Sequence, residues 1–236
     1  MKMYNDAETL KEYIIKDSDI HELDELSLKY GTDKSPSGHW YTRHYHKYLN
    51  DIKNNKMNIL EIGVHNGCSL RTWKNYFINS EIYGLDILEK CKQHEEERIH
   101  IKIGDCTEES CAENLFNDCD SFDVIIDDGS HHPEQIIKSF DIYFDKLKPG
   151  GLYFIEDLFY SSKKQIWKDF FIKLHDSVCL PNFNTLKQGQ WLVGNRERAM
   201  NYINEFKEAY GFENLYKDID SFELYMNFCT IRKASY

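Results

Sequence analysis

Ile125-Ile126-Asp127-Asp128-Gly129-Ser130-His131-His132 sets two carboxylates and an imidazole directly behind a short apolar run. A second run, Gly151-Leu152-Tyr153-Phe154-Ile155, ends in another acidic pair, Glu156-Asp157. Short runs rich in β-branched and aromatic residues, cut off by polar ones, read as buried strands. As neighbouring parallel strands, these two bring four carboxylates and a histidine to one edge of a sheet. Open α/β sheets bind ligands at the carboxyl ends of their strands, so a site is expected at this edge.

The same rhythm extends in both directions. Strands are expected at 57–62, 81–85 and 99–103, with helices over 69–76 and near 112–116. A fourth strand at 122–126 is followed by a helix over 133–146, and Leu147-Lys148-Pro149-Gly150-Gly151 reads as the turn into a fifth at 152–155. A helix is expected near 164–175. The 176–195 segment lacks periodicity and reads as a long binding loop. A helix over 197–210, stopped by Gly211, precedes two final strands at 214–217 and 223–232. Ahead of all this, 7–30 reads as two short helices, 31–38 as a loop and 39–49 as an aromatic helix. This predicts an N-terminal helical cap over 1–50 and a main domain over 51–236. Strand–helix alternation of this kind argues for an α/β, Rossmann-like fold: a mostly parallel sheet with helices on both faces.

Composition excludes several function classes. Of 236 residues, 41% are apolar, enough for a substantial core, and the net charge is −11 with no long basic run. Polyanion binding relies on clustered Lys and Arg, so no nucleic-acid partner is expected. The seven cysteines are scattered and form no CxxC pair. They read as reduced thiols of a cytoplasmic protein rather than a disulfide framework or zinc knuckle. The N-terminus shows no apolar signal core, and no run approaches transmembrane length.

Glu61-Ile62-Gly63-Val64-His65-Asn66-Gly67 joins the first strand to a helix. Gly63 and Gly67 let the backbone approach a ligand closely. Their spacing is GxxxG, not the GxGxxG of dinucleotide sites, and S-adenosylmethionine, which has no pyrophosphate, suits it. The plainer alternative is a tight turn with no ligand. Asp86, at the tip of the second strand, has the position of a ribose-binding acid. Asp105, at the tip of the third, could accept a hydrogen bond from an adenine amino group. Each could instead be a helix N-cap. Asp128, Glu156 and Asp157 offer hard oxygen ligands suited to Mg²⁺ or Mn²⁺, a cation that could orient a substrate and lower the pKa of its hydroxyl. His131 is the candidate general base. The blander alternative has Asp127 or Asp128 capping the next helix and His131 bonded to backbone. His132-Pro133 reads as a helix start. His39, His44, His46 and the Trp40, Tyr41, Tyr45, Tyr48 stripe read as surface or packing residues, and Lys34 could meet a carboxylate, although a solvated lysine is the default.

Six segments together carry a family resemblance: Gly31-Thr32-Asp33-Lys34, Leu60 to Gly67, Ile82-Tyr83-Gly84-Leu85-Asp86-Ile87, Gly104-Asp105, Ile125 to His131, and Leu152 to Leu158. They resemble class I S-adenosylmethionine-dependent O-methyltransferases of the macrocin and mycinamicin sugar type and their cephalosporin-hydroxylase-like relatives. The resemblance implies a seven-stranded sheet whose last strand is antiparallel. It implies Mg²⁺ at Asp128, Glu156 and Asp157, with His131 as base. It further implies cofactor contacts from Glu61, Gly63, Asp86, Asp105 and the Lys34 loop, and Gly67 and Asp127 are counted with them. The expected reaction is O-methylation of a small-molecule acceptor, sugar-like or phosphoramidate-like, in surface-polysaccharide or secondary-metabolite synthesis. A homodimer through the aromatic N-terminal helices is also expected. The alternatives are a metal-independent methyltransferase using His131 alone, an NAD oxidoreductase on a similar sheet, and a cofactor-binding module without catalysis.

Overall fold

The computed structural model describes residues 20–113, 115, 119, 121–158, 163–185, 216 and 218–235. Of the two short helices expected over 7–30, the part before residue 20 lies outside them, as does the helix expected over 197–210. Among the described residues, seven strands form one mostly parallel sheet: β1 (Asn58–Ile62), β2 (Glu81–Asp86), β3 (Ile99–Ile103), β4 (Phe122–Asp127), β5 (Leu147–Glu156), β6 (Ile219–Leu224) and β7 (Phe228–Lys233), in the order β3-β2-β1-β4-β5-β7-β6. The chain divides into two compact units, residues 1–106 and 107–236. No helix among the described residues is long and apolar enough to cross a membrane.

In the first unit, α1 (Glu22–Tyr30) starts from a reciprocal cap: Asp24 N–H donates to the His21 ring, and His21 N–H donates to the Asp24 carboxylate. Asp24 is fully buried and also accepts the hydroxyl of Thr42, the first residue of α2 (Thr42–Leu49). This ties the two N-terminal helices together. Tyr45 and Leu49 of α2 are buried, and the Tyr45 ring meets Trp73 of α3 (Cys68–Tyr76) edge-on at 5.0 Å. His46 stacks on His21 at 3.9 Å, a packing role. The register sets Ile62 opposite Leu85 and Asp86 opposite Ile103. The pairing continues past the strand tips, where Gly63 N–H donates to Leu85 O at 2.8 Å and Gly104 N–H to Asp86 O at 2.9 Å. The glycine turn, Asp86 and Asp105 are thereby levelled along one edge.

In the second unit, α4 (Glu109–Ala112) precedes β4, and α5 (Pro133–Tyr143) begins at Pro133 as its fixed φ favours. A 3₁₀ turn over Phe144–Lys146 leads into β5, which is longer than the sequence predicts. Leu147 already pairs with Phe122, and Val124 with Leu152, so Gly150-Gly151 is an irregularity within the strand rather than a turn before it. A Cβ on Gly151 would lie 2.8 Å from the Leu147 side chain and 2.9 Å from Asp123 O, which excludes any larger residue.

α6 (Lys164–Thr185) also overruns its expected end and takes in ten residues of the predicted 176–195 loop. Trp167, Phe170 and Leu174 form its buried stripe, and buried Ser177 continues it. Ser177 fits there because its hydroxyl bonds back to Lys173 O at 2.6 Å. The expected 223–232 strand is instead a hairpin, closed by Tyr225 N–H to Phe228 O at 2.8 Å. The alternation of Leu224, Met226 and Phe228 misleads, since Met226 is 83% exposed whereas Phe228 is buried. Of the expected 214–217 strand only Tyr216 is described. It belongs to no strand, and its ring packs on Phe140 at 4.9 Å.

Candidate active site

Lys34 is not solvated. It is 1% exposed, and its Nζ lies 3.4 Å from Oε1 of fully buried Glu61 on β1. Ser69 of α3 donates to Glu61 Oε2 at 2.7 Å. The 31–38 loop folds Lys34 inward because it is wound on its own backbone. Ser35 N–H reaches Thr32 O, His39 N–H reaches Asp33 O at 2.7 Å, and Thr42 N–H reaches Lys34 O. A Cβ on Gly38 would lie 2.1 Å from Asp33 O, so the loop closes only with glycine there.

Asp86 binds the glycine turn to β2. Its Oδ2 accepts Val64 N–H at 2.8 Å and His65 N–H at 3.0 Å, and its Oδ1 accepts Leu88 N–H at 2.8 Å. Burial works against its charge, but the N–H groups of His65, Leu88 and Val64 outweigh it and hold the carboxyl below the usual carboxylate range. Gly63 (φ 98°) and Gly67 (φ 68°) both take left-handed backbone, as does His65 (φ 47°). A Cβ on Gly67 would lie 2.9 Å from the His94 side chain. Asp105 lies half-buried just past β3. A pre-formed glycine turn beside an ionised acid, with a second acid in line, fits a nucleoside-bearing ligand such as S-adenosylmethionine.

In the second unit, the β4–β5 register sets Asp127 opposite Ile155, which levels Asp128 with Glu156. Asp128, His131 and Asp157 converge, and each offers a ligand atom within 4.8 Å of the others. His131 Nδ1 lies 3.6 Å from Asp157 Oδ2, with the two side chains 29% and 14% exposed. Both residues adopt left-handed backbone, φ 56° each. For residues other than glycine this is uncommon, and it clusters at functional sites. Glu156 does not join the trio. It is 2% exposed, in the last position of β5 opposite Phe228. Asp157 is also met from a direction that the sequence does not reveal, because Asn227, in the β6–β7 turn, donates its side-chain amide to Asp157 Oδ1 at 2.9 Å. Asp128 and Asp157, converging in partial solvent access, offer hard oxygen ligands suited to Mg²⁺ or Mn²⁺, with the His131 imidazole beside them.

Asp127 and Asp128 do not cap α5. Its N-cap is His132, which makes no side-chain capping bond. Asp127 is 1% exposed. It accepts Gly129 N–H on Oδ1 and the Tyr153 hydroxyl on Oδ2, each at 3.3 Å. Burial pushes its carboxyl up to about 7, the Ser139 hydroxyl, Gly129 N–H and Tyr153 hydroxyl restrain the rise, and the Asp128 charge adds to it.

Comparison with known proteins places this geometry. No family model matches the chain. Over 144 residues it is 42% identical to demethylmacrocin O-methyltransferase of Streptomyces fradiae, covering 58% of this chain and 36% of that protein. Mycinamicin VI 2''-O-methyltransferase of Micromonospora griseorubida is 40% identical over 144 residues, with the same coverage. The matched segment is homologous to macrolide-sugar O-methyltransferases. The solved structure of the mycinamycin-pathway methyltransferase MycE, in complex with Mg, S-adenosylhomocysteine and mycinamycin VI, superposes with a TM-score of 0.70 at 28% identity, covering 91% of this chain and 54% of that one. The sheet is thus the class I methyltransferase fold. The chain spans little more than a third of the length of the curated relatives it matches.

Proposed function

We propose that this chain is a metal-dependent O-methyltransferase that moves a methyl group from S-adenosylmethionine to a hydroxyl of a sugar-like acceptor. The convergence of Asp128, His131 and Asp157 carries this reading, since it combines a cation site with a base on one edge. Asp128 and Asp157, with Glu156 behind them, would hold a cation, which when bound would lower the pKa of the acceptor hydroxyl. His131 would take the hydroxyl proton, and S-adenosylmethionine, when bound, would supply the methyl group to the acceptor oxygen, its sulfur keeping the electron pair of the bond that breaks. Gly63, Gly67, Asp86 and Asp105 hold the donor. Lys34, Glu61 and Asp127, all buried, act by fixing the backbone against which the ligands rest.

Similarity to O-methyltransferases whose names carry rhamnosyl and olivosyl acceptors supports a sugar hydroxyl as the acceptor, and a phosphoramidate-bearing surface polysaccharide is the second acceptor class. We place the enzyme in the cytoplasm, where S-adenosylmethionine is made, as a homodimer, with residues 1–50 capping a methyltransferase domain over 51–236. The test is transfer of labelled methyl groups to a panel of deoxysugar glycosides, with and without EDTA. Transfer that EDTA abolishes and Mg²⁺ restores is expected. Turnover that persists in EDTA removes the metal, and failure of S-adenosylhomocysteine to raise the melting temperature removes the donor.

A further inference from the structure

We infer that Asn227 is a positioning residue for Asp157, one that aims this carboxylate at His131 and the cation site. The inference rests on reading Asp128, His131 and Asp157 as that site. An ionised carboxylate only accepts hydrogen bonds, so the group facing Asp157 Oδ1 at 2.9 Å must be the NH₂ of Asn227. With Oδ1 held in this way, Oδ2 is the oxygen turned to His131 Nδ1.

Asp157 lies one residue past the β5 ladder on left-handed backbone. Asn227 can provide the hold because it is itself fixed. The next residue, Phe228, is fully buried, pairs with Glu156 across the antiparallel ladder and packs on Phe154 at 5.7 Å. The Tyr225–Phe228 hydrogen bond closes the turn around Asn227. The last hairpin of the sheet therefore reaches back to the site through the side chain of Asn227. Groups that orient metal ligands from behind typically matter about 10–100-fold in metal affinity.

The test is Mn²⁺ binding to the full chain, measured by electron paramagnetic resonance without donor or acceptor, together with the melting temperature of the metal-free protein. Asn227→Ala should weaken Mn²⁺ binding about tenfold, leave the melting temperature unchanged, and lower kcat without raising KM for S-adenosylmethionine. Asn227→Ser, which retains a donor, should recover part of the affinity. If Asn227→Ala alters the fold, the near-isosteric Asn227→Leu takes its place and should lose the same affinity. Asp157→Ala is the reference. Wild-type Mn²⁺ affinity in the Asn227 variants, alongside its loss in Asp157→Ala, overturns the role of Asn227 while leaving the site intact. Wild-type affinity in Asp157→Ala overturns the site reading and this inference with it.

Discussion

At the β1–β2 edge the acids are held from within. Glu61 faces Lys34 and Ser69 in the interior, and Asp86 is clasped by three backbone N–H groups. At the β4–β5 edge the residues that converge are partly exposed, and two of them, His131 and Asp157, hold left-handed backbone. The difference follows the tasks proposed for the two edges. A surface that only binds works best when its polar groups are already fixed, so that little ordering remains to be done on binding. A group that moves a proton or holds a cation must keep a face turned outward, and the backbone strain that presents it is offset by the rest of the fold. The first edge should therefore fail through folding and donor affinity, the second through turnover.

His131→Ala is the sharpest way to break that contrast. Turnover should fall by about 10²–10⁴-fold, the usual worth of general base catalysis, with S-adenosylhomocysteine affinity by calorimetry unchanged. A fall in that affinity would erase the division of labour. Lys34→Met should behave in the opposite manner. It leaves a carboxylate buried without its cation, which costs about 3–5 kcal/mol, read as a loss of unfolding free energy in urea. The paired change Lys34→Met with Glu61→Gln should recover much of that loss, because no lone charge is then left inside. If the double variant is no better than the single, Lys34 acts through packing and not through charge.

How legible each edge was follows from the range of the interactions involved. The strands and their acidic tips could be read because an apolar run that stops at a carboxylate is a local pattern, and Asp86, Asp128 and Asp157 all lie at such stops. The burial of Lys34 was not legible, because lysine is solvated unless a distant partner takes it in, and Glu61 belongs to another element. That His131 and Asp157 converge while Glu156 stays in the ladder depends on where the backbone turns left-handed, which no residue-type preference specifies. Asn227 was hidden for a different reason. Leu224, Met226 and Phe228 alternate like one continuous strand, and only the antiparallel pairing with β5 shows the turn between them.

Asp127 supports the second edge from below, and its charge can be tested apart from that support. Its carboxyl ionises near 7 in the folded chain, against about 4 when unfolded. The folded state therefore holds the extra proton between about pH 4 and pH 7, and stability falls as pH rises through that window. Above it the full penalty applies, roughly 1.4 kcal/mol for each unit of the rise. Asp127→Asn retains an acceptor and loses the charge. In metal-free protein its melting temperature relative to wild type should climb from pH 4.5 to pH 8. A difference that stays flat would mean that the carboxyl is ionised throughout.

The smallest effect expected is at Gly84, and it probes whether the first edge is as tightly fixed as its hydrogen bonds imply. Gly84 lies on β2 opposite Glu61 and Ile101. A Cβ there would come within 2.7 Å of Val64 Cγ2 and 2.9 Å of Leu70 Cδ1. Both neighbours are buried, and Val64 belongs to the glycine turn that Asp86 clasps, so a shift of Val64 moves the turn. Gly84→Ala should cost about 1–3 kcal/mol, as overpacking does in a close-packed core. It should weaken S-adenosylhomocysteine binding through the displaced turn and leave Mn²⁺ affinity alone, because the proposed cation ligands lie just past β4 and β5. Unchanged donor affinity in a destabilised variant would show that the turn relaxes freely, and that the hydrogen bonds of Asp86 support the fold without fixing the surface the donor meets.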